Sequence, residues 1–99
     1  MELKEFQRDA VELIKKIDDK HRGKHDSDTT IIHIVEEIGE VARQLYNEKI
    51  GRDKLNKENI AEEISDCMLL LTQLAHNFNI DIENAIKLKM KKLKKRHNL

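Results

Sequence analysis

Residues 34–41, IVEEIGEV, set two adjacent glutamates and a third three residues later inside an apolar run of helical period. A second segment, residues 60–67, reads IAEEISDC and repeats the isoleucines, the paired glutamates and the acid three positions on. With Ile34 as the zero of a helical wheel, Ile38, Val41 and Leu45 stay within about 40° of it. Glu37 falls about 60° to one side, Glu40 about 120° to the same side, and Glu36 points nearly away. The same arithmetic from Ile60 puts Glu63 and Asp66 where Glu37 and Glu40 were and sends Glu62 outward. Two such helices packed antiparallel turn four carboxylates toward one groove.

Working outward, the apolar period predicts an amphipathic helix over residues 2–19 carrying Leu3, Phe6, Ala10, Leu13, Ile14 and Ile17. The polar stretch HRGKHDSD, with Gly23, interrupts it, and Ser27 or Asp28 is expected to cap a second helix over residues 29–47. That helix is expected to point Ile31, Ile34, Ile38, Val41 and Leu45 inward. Asn56 is the expected cap of a third helix reaching Asn77, with Ile60, Ile64, Cys67, Met68, Leu71, Leu74 and Ala75 inward. Asp81 is the expected cap of a fourth over residues 82–97, with Ile82, Ile86, Met90 and Leu93 as its stripe. The expected fold is all-α, a four-helix antiparallel bundle forming a single domain over residues 1–99. Leu69 points nearly opposite the stripe of the third helix and Leu70 lies on another flank, which predicts a subunit interface there.

The composition agrees: no proline, three glycines, few aromatics and abundant helix-forming residues. A net charge of zero gives no global field for nucleic acid. The basic end, with Lys87, Lys89, Lys91, Lys92, Lys94, Lys95 and Arg96, lacks interleaved aromatics, so neither a nucleic acid nor a membrane partner is expected. The single Cys67 fits a reducing cytoplasm, and no apolar run approaches the ~18 residues of a membrane span.

Converging carboxylates repel and take up protons unless a cation compensates them. A hard divalent ion, Mg²⁺ or Mn²⁺, suits an all-oxygen ligand set and keeps waters for a phosphate-bearing substrate. The competing reading is that paired glutamates solvate two helix faces and the apolar flanks bind a partner protein. Cys67, within the apolar stripe, reads as a buried inert thiol.

Glu36-Glu37-x-x-Glu40 followed by Glu63-x-x-Asp66 resembles the paired acidic motifs of the MazG-like all-α nucleoside triphosphate pyrophosphohydrolases. The resemblance runs from about His33 to Arg96 through HIVEEIGEVARQL, EEISDCMLLL and AIKLKMKKLKKR. It implies a helical bundle assembled as a homodimer or homotetramer that hydrolyses nucleoside triphosphates to monophosphate and pyrophosphate. Carried over, Glu37, Glu40, Glu63 and Asp66 are the Mg²⁺ ligands and catalytic acids. Lys89 and Arg96 match basic positions of the family's last helix and are expected to contact phosphates, with Lys92 on the same face. His33, four residues before Glu37, either orients a carboxylate, touches substrate or is simply solvated. His21 and His25 either close over a nucleotide or stay exposed. Leu93 stands where many relatives carry asparagine, and the tryptophan common in the first segment is missing, so base preference does not transfer. A phosphoribosyl-ATP pyrophosphohydrolase of similar architecture is the nearest alternative within the enzymes.

Overall fold

In the computed structural model, which describes residues 2–99, the chain forms α1 (Leu3–His21), α2 (Ser27–Lys49), α3 (Lys57–Asn77) and α4 (Ile82–Arg96). No strand occurs among the described residues, and none of these helices is long and apolar enough to cross a membrane. Capping chemistry sets three of the four starts. The Asn56 side chain accepts from the amides of Glu58 and Asn59, and Asp81 accepts from those of Glu83 and Asn84. These bonds satisfy first-turn donors that have no partner within the helix. α2 starts two residues before its expected position, and its cap is Asp26, neither Ser27 nor Asp28. The bond from the Thr29 amide also holds the Asp26 carboxyl below its ordinary range. After α2 the chain turns at Gly51, whose φ of 74° is the left-handed conformation that side chains with a Cβ resist. Replacing Asn56 with alanine is expected to cost about 1 kcal/mol. Thermal unfolding followed by circular dichroism should then show a melting point lower by roughly 4–8 °C.

α3 is the central element, with α2 and α1 packed on it and α4 resting on α1. Hydrogen bonds fix the directions. Asn77 Nδ2 at the end of α3 donates to the His25 carbonyl just before α2, at 3.0 Å. At the other end the Leu55 amide donates to the Glu48 carboxylate, also at 3.0 Å, so α2 and α3 run antiparallel. Gln7 clamps α1 to the α3–α4 junction, its Nε2 donating to the Ile80 carbonyl at 2.9 Å and its Oε1 accepting from the Ile82 amide at 3.0 Å.

The core is thin: Ala10, Ile14, Ile34, Leu70 and Ala75, with the polar Thr30, Thr72 and Gln73 among them. This corrects the expected stripes. Ile34 and Ala75 are buried and Val41, Ile60, Cys67 and Leu74 half-buried, but Ile31, Ile38 and Leu45 on α2 and Ile64, Met68 and Leu71 on α3 are exposed. The two helices meet along the acidic border of their stripes, through the side that carries Glu37 and Glu63, and leave the other border open. Leu69 is half-buried and Leu70 buried, so neither forms the expected exposed flank; α3 is covered from two sides there, by α1 and α2. Leu13 and Ile17 of α1 are exposed as well.

α4 is exposed from Asn84 onward, including Ile86, Met90 and Leu93 of its expected stripe. Four helices are present as expected, yet within one chain α4 does not close the bundle. The radius of gyration is 16.2 Å, against about 13 Å for a compact domain of ~100 residues. The accessible surface is 8142 Å², whereas a compact monomer of this mass exposes about 5,900 Å². A single chain leaves open more apolar surface than a finished domain would.

Candidate metal centre

Glu37 of α2 meets Glu63 and Asp66 of α3 in the groove between the two helices. One carboxylate oxygen from each lies within 4.8 Å of the other two. The convergence follows from the repeat: equal phase on antiparallel helices aims equivalent positions at each other. Glu37 and Glu63 are half-buried and Asp66 is exposed, so the cluster opens to solvent on one side. Glu63 Oε2 is buried with no hydrogen-bond partner. The Glu37 carboxyl is pushed up to about 7, first by a hydrogen bond shared with Glu63, then by burial, then by the charges of Glu63, Asp66 and Glu40. The crowding favours the neutral acid at Glu37, because these carboxylates repel when all are ionised. The three carboxylates and the unpaired Glu63 oxygen fit a hard divalent cation such as Mg²⁺ or Mn²⁺, which takes oxygen ligands.

Glu37 goes from an ordinary 4.5 to about 7 in the folded chain, so its ionised form is penalised by folding. The penalty is absent below about pH 4.5, grows as pH rises, and is complete above about pH 7. In chelator-treated protein, the stability of Glu37→Gln relative to the parent should rise across that window. Urea titrations at about pH 5 and pH 7.5 measure it; a difference that does not change with pH would contradict the raised Glu37 value.

The fourth expected ligand is placed differently. Glu40 turns toward Arg43, one turn along α2, and pairs with its guanidinium. Its charge still acts on Glu37, so it flanks a cluster of three and does not join it. Glu36 and Glu62 are exposed, as their phases predict. Lys89, Lys92 and Arg96 lie exposed on α4, the helix that packs on α1. Among the described residues no ion pair joins them to Glu37, Glu63 or Asp66.

His33 is exposed, with its ring edge-on to that of His25, centroids 5.7 Å apart. His25 is no free loop residue, because its Nδ1 is 2.8 Å from Asp18 Oδ1. His21 is exposed at the end of α1. Burial, then the charges of Glu37, Glu63 and Asp66, push the Cys67 thiol up, which keeps it protonated and a poor nucleophile. Sequence reading passed over Gln73, Asn77 and the Asp18–His25 pair. The i,i+4 spacing of Gln73 and Asn77, which suits a side-chain hydrogen bond on a helix, was the available signal.

Helices that carry in-phase acidic motifs and close their carboxylates into one cluster define an all-α protein with a carboxylate centre. The chain belongs to the MazG family: the family described as MazG nucleotide pyrophosphohydrolase domain matches residues 25–99. The match takes in α2, α3 and α4 and thus every acid of the cluster, and it gives nucleotide pyrophosphohydrolase as the general class of activity. Comparison with curated proteins and with solved structures found no match.

Proposed function

We propose that the chain is a Mg²⁺-dependent nucleoside triphosphate pyrophosphohydrolase that converts ribo- or deoxyribonucleoside triphosphates to monophosphate and pyrophosphate. The observation that carries the reading is the meeting of Glu37, Glu63 and Asp66, with one buried Glu63 oxygen left unpaired. Glu37, Glu63 and Asp66 would hold the cation, with Glu40 beside them. When bound there, it would polarise phosphate oxygens and lower the pKa of water. The acids would hold the cation at the mouth that Asp66 leaves open, where its charge would offset that of the substrate's phosphates, and a carboxylate not engaged in ligation takes the proton of the attacking water. The oxygen of that water bonds to the α-phosphorus as the bond to the bridging oxygen breaks, and pyrophosphate departs.

Lys89 and Arg96, with Lys92, would make charge-assisted bonds to the departing phosphates. Their place on a helix that leaves its own body supports contact with the cluster of a second copy. The working form is accordingly a homodimer or homotetramer. On antiparallel helices in equal phase, equivalent flanks fall on one side of the pair, so Ile38 and Leu45 of α2 share a surface with Ile64, Met68 and Leu71 of α3. The excess accessible surface is larger than the ~800 Å² per partner of a standard interface.

The test is to incubate the protein with Mg²⁺ and a panel of canonical, deoxy and modified triphosphates and to identify the products. Pyrophosphate and monophosphate are expected; orthophosphate with diphosphate would contradict the proposed site of attack. The same exposed apolar flanks also fit a helical module that binds another protein without catalysis. Calorimetric titration separates that reading, because a module shows no Mg²⁺ binding that Glu37→Gln and Asp66→Asn remove.

A further inference from the structure

We propose that Arg43 is a positioning residue that holds Glu40 off the carboxylate cluster and releases it to a divalent cation, so that the pair sets how tightly the centre takes its ion. The inference rests on the reading of Glu37, Glu63 and Asp66 as a cation site and deepens it by assigning a role to a cation of the chain itself.

The internal repeat supplies the comparison. Alignment of residues 34–41 with 60–67 pairs Glu37 with Glu63 and Glu40 with Asp66 and, two positions beyond, Arg43 with Leu69. Equal phase gives Glu40 and Asp66 equal claims on the groove, yet Asp66 joins the cluster and Glu40 does not. The difference lies one turn further on. Asp66 is followed there by Leu69, half-buried and uncharged. Glu40 is followed by Arg43, whose Nη2 donates to both of its carboxylate oxygens.

Glu40 stands between two partners. Side chains three apart on a helix have Cβ atoms about 5–6 Å apart, so Arg43 on one side and Glu37 on the other are equally near along α2. A change of side-chain torsion exchanges them. While the pair holds, the guanidinium neutralises a fourth carboxylate that would add to the repulsion among the other three. The hold is weak. The two side chains are 65% and 46% exposed, and open pairs of this spacing contribute little. A divalent ion held by the half-buried Glu37 and Glu63 carries twice the charge in a drier place and outcompetes a guanidinium in water. Residues 39, 46 and 47, the other positions three or four away from Arg43, are Gly, Tyr and Asn. Loosening this pair therefore breaks no second one on the helix.

Calorimetric titration with Mg²⁺ alone, at fixed ionic strength, tests the latch. Arg43→Gln keeps a good helix former at an exposed site, and its affinity for Mg²⁺ is expected to exceed the parent's by roughly threefold to tenfold. Loss of any nearby positive charge favours a cation, so the substitution is repeated on Glu40→Gln. With no carboxylate to release, it is expected to change that affinity by less than about twofold. In NMR spectra of the parent, the Arg43 Nε–H resonance is expected to move as Mg²⁺ is added, and in Glu40→Gln to stay. An affinity that Arg43→Gln leaves unchanged or lowers, an equal gain on Glu40→Gln, or an Arg43 resonance indifferent to Mg²⁺ would overturn the latch while the cation site stands. Absence of Mg²⁺ binding from parent and variants alike would overturn both. No nucleotide is present, so the result holds whether or not triphosphates are turned over.

Discussion

Glu63→Gln is expected to reduce Mg²⁺-dependent release of pyrophosphate by about a thousandfold, the scale of the several kcal/mol that a cation-centred site supplies to a transition state. Glu63 is chosen because it offers an oxygen to the cluster with Glu37 and Asp66, and its buried Oε2 has no hydrogen-bond partner. The substitution keeps shape and removes charge from a crowded group, so helicity should persist and the metal-free variant should be no less stable than the parent. A lost activity with intact circular dichroism is therefore a statement about ligation. Asp66→Asn should behave likewise. Glu40→Gln is expected to cost roughly tenfold, as for a residue that tunes a site from beside it, because its carboxylate is engaged with Arg43. Undiminished turnover in the Glu63 and Asp66 variants would remove the site assignment.

If the chain associates as proposed, Ile64→Glu is expected to convert that oligomer to a monomer, read by size-exclusion chromatography with light scattering. Ile64 is 51% exposed in the single chain, and Ile38 and Met68 on the same side of the helix pair are 53% and 48% exposed. A glutamate at such a position costs little in a chain that stands alone, where surface changes stay within about 0.5 kcal/mol. Buried against the apolar flank of a second copy, it brings an unpaired charge into a desolvated seam. The two situations predict opposite results for one substitution. Loss of association should also lower activity, since Lys89 and Arg96 of one copy are read as serving the carboxylates of another. An unchanged molecular weight would place any association elsewhere.

The sequence carried the four helices well because each boundary is a local chemical event. Asn56 and Asp81 announce their helices, and the helical period persists between them. The acids of the cluster were legible for a related reason: a repeat in equal phase has to aim Glu37 and Glu63 at each other once the helices run antiparallel. Burial was read less well. A helical wheel finds the apolar stripe, but the stripes of α2 and α3 are wider than the strip each helix uses to contact the other. Which border is buried inside the chain and which stays open depends on packing that no single segment encodes. That is why Ile38, Leu45, Ile64 and Leu71 are exposed here, and why Leu70, off the expected stripe, is buried. Glu40 stands beside the cluster through a short-range effect, the competing guanidinium of Arg43 one turn away. The Asp18–His25–Asn77–Gln73 relay joins residues far apart in the chain, and only the Gln73–Asn77 spacing hinted at it.

In the proposed reaction the carboxylate cluster directs water to the α-phosphorus. Hydrolysis of a nucleoside triphosphate in ¹⁸O-labelled water with Mg²⁺, followed by mass spectrometry of both products, tests it most directly. The label is expected in the nucleoside monophosphate, with pyrophosphate unlabelled, and both products should form about a thousandfold more slowly with Glu63→Gln. Label in the pyrophosphate or in released orthophosphate would place the attack at another phosphorus and contradict the account.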